Sequence, residues 1–305
     1  MSGAIGTDGL RVVDPHVHLW DSTRIEYPWL ANPQPAYSGD NRLLPRIYDA
    51  AALLADAGDV QIFKSVNVEA NPADALAEVR WLQECADAAG GGGHPHGIVG
   101  CADLSLPEAP ALLERLAACR RVRGIRQILN VHSDPRFDYV GRHFLGESLW
   151  RQNLRRLSQL GLSFDLQLYP AQVPDALPVL DENADTCFIL NHAGMFVDRD
   201  RVSGWRQWRC ALRALAARDN TAVKLSGFAM FDHHWSIESF RPYVLEAIDA
   251  FGPRRCMFAS NFPIDRLHAR YTDLWRAYAG IVAGATTSER EDLLGGNALR
   301  YYRLE

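Results

Sequence analysis

The sequence predicts an α/β fold, a (β/α)8 TIM barrel with a long first loop, formed by a single domain over residues 1–305. Eight short apolar runs alternate with amphipathic helical segments, which is the pattern of parallel strands joined by helices. The 305 residues fall within the usual range for one such barrel. No G-x-G-x-x-G motif follows a strand to favour the alternative, an open doubly wound sheet, and no internal repeat or linker divides the chain.

The elements follow one another regularly along the chain. The first strand is predicted within 11–20, and a Pro-rich, aromatic loop of about twenty-five residues follows it. Because this loop is too long for a simple connector, we predict that it forms a lid. The other strands are predicted at 60–68, 97–102, 122–129, 162–169, 187–192, 222–226 and 256–261. The helices are predicted at 72–89, 109–119, 148–160, 173–183, 205–217, 237–251, 271–283 and 288–299.

The first strand carries three polar residues among apolar ones. Side chains alternate along a strand, so Asp14, His16 and His18 are expected to share one face. Two imidazoles on that face can meet around one metal ion, one water or one substrate oxygen. The alternative to such a site is that both histidines only form hydrogen bonds to backbone carbonyls. Polar groups are costly to bury without partners, which favours a functional site.

Composition narrows the class of protein. The net charge is −5, with no block of like charge, so we expect no nucleic-acid or membrane partner and a small-molecule substrate instead. The six cysteines form no C-x-x-C pair and the N-terminus has no signal-like segment, so we expect a cytoplasmic protein. The sequence is compatible with a homo-oligomer.

Further polar residues occur where the predicted strands end. A barrel places its active site at the carboxyl ends of its strands, so these side chains are expected to surround one cavity. Exposure of strand ends to solvent would explain why some of these residues are polar, but not those with apolar neighbours on both sides. The strand-end residues are His16, His18, Glu69, Arg126, Asp165, Gln167, His192, Lys224, Ser226 and Asn261, with Asp265 just beyond.

Several motifs together resemble the amidohydrolase-2 family, and within it the TIM-barrel lactonase group that includes fuconolactonase and pyrone-dicarboxylate lactonase. The resemblance runs from about residue 10 to the C-terminus. It implies a hydrolase in which the H-x-H pair and a later histidine face a carbonyl substrate and a water. The motifs are D-P-H-V-H-L-W-D at 14–21, Y-P-W-L at 27–30, G-I-R at 124–126, N-H-A-G at 191–194, K-L-S-G at 224–227, S-N-F-P-I-D at 260–265 and G-N-A-L-R-Y-Y at 296–302.

The chain departs from the metal-binding pattern of that superfamily. Binuclear members use a lysine on the fourth strand, where this chain has none, and mononuclear members add a histidine and an aspartate at places held here by Gln167 and Asn261. A single divalent ion such as zinc would have only His16, His18 and His192 as ligands. We expect either no cofactor or this one ion.

The residues that would act on a substrate follow from these positions. His16, His18 and His192 are expected to polarise its carbonyl. Because Asn261 cannot act as a base near neutral pH, the water's proton would go to His192, Glu69 or Asp265. Alternatively, Asp265 caps the N-terminus of the following helix.

Other residues are expected to bind the substrate. Arg126 would hold a carboxylate or ring oxygens, or else form a salt bridge to a barrel carboxylate. Lys224 would pair with Asp14 or Asp165, or polarise the carbonyl. Aromatic residues in or beside the first loop would form an apolar wall, although core packing explains each one equally well. They are Trp20, Tyr27 and Trp29.

We therefore expect a hydrolase that opens a small lactone, derived from a sugar acid or a dicarboxylate. The first alternative is a metal-dependent decarboxylase of the same family. The second is a barrel that binds a metabolite without catalysis, suggested by Asn261. His233 and His234 follow the seventh strand on the same rim, where they either contact ligand or are merely solvated.

Overall fold

Eight parallel strands form a barrel in the computed structural model, which describes residues 9–88 and 92–304. Each strand pairs with its neighbours in chain order, and the predicted barrel is confirmed. The strands are β1 (Arg11–Val17), β2 (Gln61–Val68), β3 (Gly97–Cys101), β4 (Val122–Ile128), β5 (Ser163–Gln167), β6 (Phe188–Leu190), β7 (Thr221–Leu225) and β8 (Cys256–Phe258).

The segment after β8 closes the barrel against β1. The Asn261 amide N–H donates to the carbonyl of His16 at 2.9 Å, and the His18 amide donates to the carbonyl of Phe262 at 2.8 Å. Val17 and Phe262 form a parallel bridge. The closure therefore places the residues that follow β8 beside both histidines of the H-x-H motif.

Helices surround the barrel as predicted, with four differences. A four-residue helix at Pro28–Ala31, within the first loop, was not predicted. A helix at Ala50–Ala57, capped by the Asp49 carboxylate, was not predicted. The helix predicted at 148–160 is two shorter ones, and the one predicted at 288–299 contains a π-helical segment, Asp292–Gly296. The helix predicted at 72–89 has its predicted end at residue 89, which lies outside the described residues. The helices are α1 (Pro28–Ala31), α2 (Ala50–Ala57), α3 (Ala75–Asp87), α4 (Ala109–Ala117), α5 (Ser148–Leu154), α6 (Arg156–Gln159), α7 (Val173–Glu182), α8 (Val202–Ala216), α9 (Ile237–Phe251), α10 (Tyr271–Ile281), α11 (Thr287–Glu291) and α12 (Asn297–Tyr301).

Apolar side chains fill two regions. The larger one lies between the barrel and its helices, where the amphipathic helices bury their apolar faces. The smaller one includes Val66, Val99, Ile189 and Met257 from the strands, together with Tyr302 at the C-terminal end. Tyr302 therefore belongs to an apolar cluster of strand residues. The polar residues lie instead at the carboxyl ends of the strands.

The first loop is an ordered lid, which we define as residues 22–49. It contains α1 and a small hairpin in which Pro35–Ala36 pairs with Gly39–Asp40. Ile47–Tyr48 pairs with Trp20–Asp21 and ties its far end to the end of β1. None of the helices in the described ranges combines the length and apolar character needed to cross a bilayer.

Candidate active site

The two histidines at the end of β1 contact each other through their Nε2 atoms, 3.2 Å apart. His18 Nδ1 lies 2.8 Å from the carbonyl oxygen of Val68 on β2. A carbonyl only accepts hydrogen bonds, so Nδ1 of His18 carries the proton and its Nε2 presents a lone pair. His16 therefore donates from Nε2 to His18.

Burial keeps both imidazoles neutral. It lowers the pKa of His18 to about 3, with help from the positive charge of Arg126, while the Val68 carbonyl and the Asn261 side chain oppose this change. Burial and the nearby Lys224 cation also lower the pKa of His16. His18 is thus neutral in the free protein over the whole neutral range, and its Nε2 lone pair accepts the His16 N–H.

Lys224, on β7, supports His16 from inside the barrel. Its Nζ lies 3.3 Å from Nδ1 of His16 and 2.5 Å from Oδ1 of Asp165 on β5. The hydroxyl of Tyr302 and the side-chain amide of Asn191 also donate to Asp165. Burial lowers the pKa of Lys224 to about 8, and the Asp165 carboxylate opposes this decrease. Of the two partners predicted for Lys224, the structure shows Asp165.

His192 follows β6 in an unusual left-handed turn. The four residues from His192 to Met195 all have positive φ, although only Gly194 avoids the steric cost. The indole N–H of Trp208 on α8 donates to the carbonyl of Ala193 at 2.6 Å and holds the turn. As a result, the His192 ring centre lies 4.5 Å from that of His16.

The region after β7 fixes the orientation of His192. Its Nδ1 lies 3.0 Å from Oγ of Ser226, a buried hydroxyl for which residues 9–88 and 92–304 offer no other hydrogen-bond partner. We infer that the hydroxyl donates to Nδ1 and that Nε2 of His192 carries the proton. Gly227, at φ +66°, leaves room for the ring, since a Cβ there would lie 2.6 Å from Nδ1. Burial and the charge of Arg126 lower the pKa of His192.

Arg126, on β4, is the charged residue at the cavity wall. Its Nε donates to Oε1 of Glu69 at 2.5 Å, Nη2 to the Glu69 carbonyl at 2.6 Å, and Nη1 to Oε1 of Gln167 at 2.9 Å. A guanidinium has five N–H groups. Among the described residues, one N–H on each terminal nitrogen is left for a ligand.

Asn261 connects the cavity to a buried carboxyl group. Its Nδ2 donates to Oδ1 of Asp265 at 2.8 Å. Asp265 is fully buried and its Oδ2 forms no hydrogen bond within the described ranges. Burial raises the pKa of Asp265 to about 8, while the Asn261 amide and the Ala229 backbone N–H oppose this increase. Asp265 therefore orients the Asn261 amide from behind the cavity.

Six of the predicted site residues line one cavity at the carboxyl ends of the strands. The other five lie behind this cavity. His16 and Glu69 form hydrogen bonds to residues of the wall, and Trp20 packs behind Trp29 with ring centres 5.6 Å apart. Lys224 and Asp265 contact His16 and Asn261, respectively. The residues that line the cavity are His18, Trp29, Arg126, Gln167, His192 and Asn261.

The rest of the wall consists of residues that were not predicted from the sequence. Tyr37, Ser38 and Asn41 come from the lid, Asn71 follows β2, and Tyr139 follows β4. These residues lie in loops, where the sequence has no periodic pattern from which a role could be predicted. The length and aromatic content of the first loop predicted only that it forms a lid. Ala70, Ile128, Met230 and Ile264 complete the wall.

The side chains as arranged do not fit a metal ion. Within residues 9–88 and 92–304, no group of three or more His, Cys, Asp and Glu side chains has the geometry to hold one. A ligand role for His16 Nε2 would require its proton on Nδ1, where it would face the Lys224 ammonium 3.3 Å away. Asp165 is already occupied by three donors.

Comparisons with known proteins agree with this architecture. An uncharacterized protein of Sinorhizobium fredii is 40% identical over 299 residues, covering 97% of this chain and 99% of that protein. An L-fucono-1,5-lactonase of Burkholderia multivorans is 30% identical over 311 residues, and the match covers 96% of each. A crystal structure of an amidohydrolase from Burkholderia multivorans with bound zinc has a TM-score of 0.80 and 27% identity, covering 96% of this chain and 99% of that one.

The family profile described as Amidohydrolase matches residues 13–304, which include every candidate site residue named above. The resemblance expected from the sequence motifs is confirmed. This chain belongs to the amidohydrolase family.

Proposed function

We propose that this hydrolase opens a small lactone by attack of water on the ring carbonyl, without a metal ion. The observation that carries the proposal is the difference between two imidazoles of one cavity. The Nδ1 of His18 faces a carbonyl, so its lone pair is at Nε2, whereas the Nδ1 of His192 faces a hydroxyl, from which we infer an N–H at Nε2. One can accept a proton while the other stabilises a developing oxyanion.

The reaction balances with these two groups. The water takes the place of the His16 N–H at Nε2 of His18. Its oxygen forms a bond to the carbonyl carbon, and its proton passes to that nitrogen. The carbonyl oxygen becomes negative and accepts the N–H of His192. The bond from the carbonyl carbon to the ring oxygen then breaks, and the ring oxygen takes the proton back from His18. The product is an open-chain hydroxy acid.

The low pKa of His18 is compatible with this role. Positive charge from Arg126 opposes a proton on His18 in the free site. Once the carbonyl oxygen becomes negative, it offsets that charge, so the imidazolium forms only together with the tetrahedral intermediate. Asn261, held by Asp265, would orient the attacking water.

The cavity wall favours a neutral, hydroxylated lactone over a dicarboxylate. Arg126 is the only cation among the lining residues, and Glu69 neutralises it at 2.5 Å. Amide and hydroxyl groups form most of the polar wall and can bond to sugar hydroxyls. They belong to Ser38, Asn41, Asn71, Tyr139, Gln167 and Asn261. The name of the Burkholderia multivorans lactonase supports the same class of substrate.

A lactone panel tests the proposal. Protein treated with a chelator would be mixed with sugar-acid 1,4- and 1,5-lactones and with a pyrone dicarboxylate, and acid release followed with a pH indicator. We expect turnover of a sugar-acid lactone, reduced at least about 100-fold in H18N and H192N and unchanged in H143N, an exposed histidine. Release of carbon dioxide that depends on added zinc would indicate the decarboxylase instead, and binding without turnover would indicate a non-catalytic barrel.

A further inference from the structure

The turn of the lid hairpin lies over the cavity. Pro35–Ala36 and Gly39–Asp40 pair, so the two residues between them, Tyr37 and Ser38, form the turn. Both line the cavity. The Tyr37 ring stacks on Phe231, which follows β7, with ring centres 5.5 Å apart and an angle of 13° between the planes. The turn thus reaches over the mouth to the loop after β7, two strands away from β1 around the barrel.

Two histidines from different loops hold this turn. Nε2 of His233, after β7, lies 2.9 Å from the Tyr37 carbonyl oxygen, and Nε2 of His268, after β8, lies 2.9 Å from the Ser38 carbonyl oxygen. The two rings stack with centres 3.7 Å apart and planes within 7°. Because carbonyls only accept, each imidazole donates from Nε2, and together they bind consecutive residues of the turn.

The next residue of the lid, Gly39, has no side chain, and this contact requires that. Gly39 has φ +125°, and a Cβ on it would lie 2.6 Å from Nε2 of His268 and 2.9 Å from Cδ1 of Leu267. A glycine is therefore required both for the backbone conformation and for the close approach. The same contact that aligns the Ser38 carbonyl with His268 leaves no space for a larger residue.

We propose that His233 and His268 are positioning residues that hold the Tyr37–Ser38 turn closed over the cavity and so determine which substrates enter and bind. Neither imidazole lines the cavity, so both act through the turn. The inference about substrate binding rests on the proposed lactone hydrolysis, whereas the structural part of the inference does not. Loss of the pair would free the turn without moving His18 or His192.

Hydrogen exchange measures the structural part directly. In H233A and H268A we expect the amides of residues 36–40 to exchange about tenfold faster than in the parent protein. H233Q and H268Q, which keep an N–H donor at a similar reach, should restore much of the protection. G39A should also accelerate exchange, through the clash with His268. The control is H234A, an exposed neighbour of His233.

Kinetics measure the effect on binding. With a lactone that the parent protein hydrolyses, we expect KM to rise about tenfold in H233A and H268A while kcat changes less than threefold. Unchanged amide exchange of residues 36–40 in both variants would overturn the proposal, whatever the kinetics. Faster exchange in a protein that hydrolyses no lactone would support the role of the pair in holding the lid and refute the lactone assignment alone.

Discussion

Lys224 and His16 are joined inside the barrel by a contact of 3.3 Å between Nζ and Nδ1. An ammonium group only donates, so this contact fixes the proton of His16 on Nε2 and directs it toward His18. The Asp165 carboxylate at 2.5 Å compensates the buried charge of Lys224. The lone pair of His18 on which the proposed reaction depends is thus aligned by residues that do not line the cavity.

We therefore expect K224M to affect stability and catalysis separately. It leaves the buried Asp165 carboxylate without its cation, which should lower the free energy of unfolding by about 3–5 kcal/mol. In the double variant K224M/D165N much of this loss should be recovered, but kcat should stay at least about tenfold below the parent value because His16 no longer has a fixed proton. Denaturant unfolding and kcat measure the two effects. Full kcat in the double variant would contradict this role for Lys224.

The space beside His192 gives a second prediction. In G227A a methyl group would meet Nδ1 of His192 at 2.6 Å in a backbone conformation, φ +66°, that disfavours alanine. We expect kcat to fall at least about 100-fold as the His192 N–H moves away from the carbonyl oxygen. The control is G280A, a helix position in α10 with open space around it, which should gain roughly 0.5–1 kcal/mol in stability with unchanged kcat. Equal kcat in both variants would argue against His192 as the oxyanion donor.

Glu69 gives a prediction about the charge of the substrate. E69Q removes the negative charge that neutralises Arg126 at 2.5 Å. The ratio of kcat/KM for an anionic lactone to that for a neutral lactone should therefore increase at least about tenfold. Because a ratio of two substrates is insensitive to the folded fraction, it remains valid if the variant is less stable. An unchanged ratio would show that the charge of Arg126 does not select the substrate.

Glu78, on α3, gives a prediction about pH and stability. It is fully buried, and burial, together with the neighbouring Glu69, raises its pKa from 4.5 to about 8. Between these values the folded chain holds a proton that the unfolded chain has lost, so this group lowers stability as pH rises from about 4.5 to 8. In E78Q the decline should be smaller, by roughly 2–4 kcal/mol across that range. Thermal unfolding at several pH values checks this, and parallel curves for both proteins would disprove it.

The barrel and much of the cavity could be predicted from the sequence because both follow from local patterns. Apolar runs mark the strands, and polar residues at their ends mark the site, which is how His18, Arg126 and His192 were found. The short helix Ala50–Ala57 was missed although Asp49 caps it and Gly58 follows it, because it has less than three turns of periodic signal.

Contacts between distant parts of the chain could not be predicted. Both Asp14 and Asp165 were plausible partners for Lys224, and only the barrel geometry selects between them. The left-handed turn at His192 depends on Trp208 and Gly227, which are remote in sequence. The place of Tyr37 over the cavity likewise depends on His233, almost two hundred residues away in the chain.

Steady-state hydrolysis by metal-free protein tests the central claim most directly, since a structurally similar amidohydrolase from Burkholderia multivorans contains zinc. The protein would be treated with a chelator, its metal content measured, and its kcat on a sugar-acid lactone determined before and after addition of zinc. We predict the same kcat with and without metal, and its loss in H18N. Activity that disappears on chelation and returns with zinc would contradict the account.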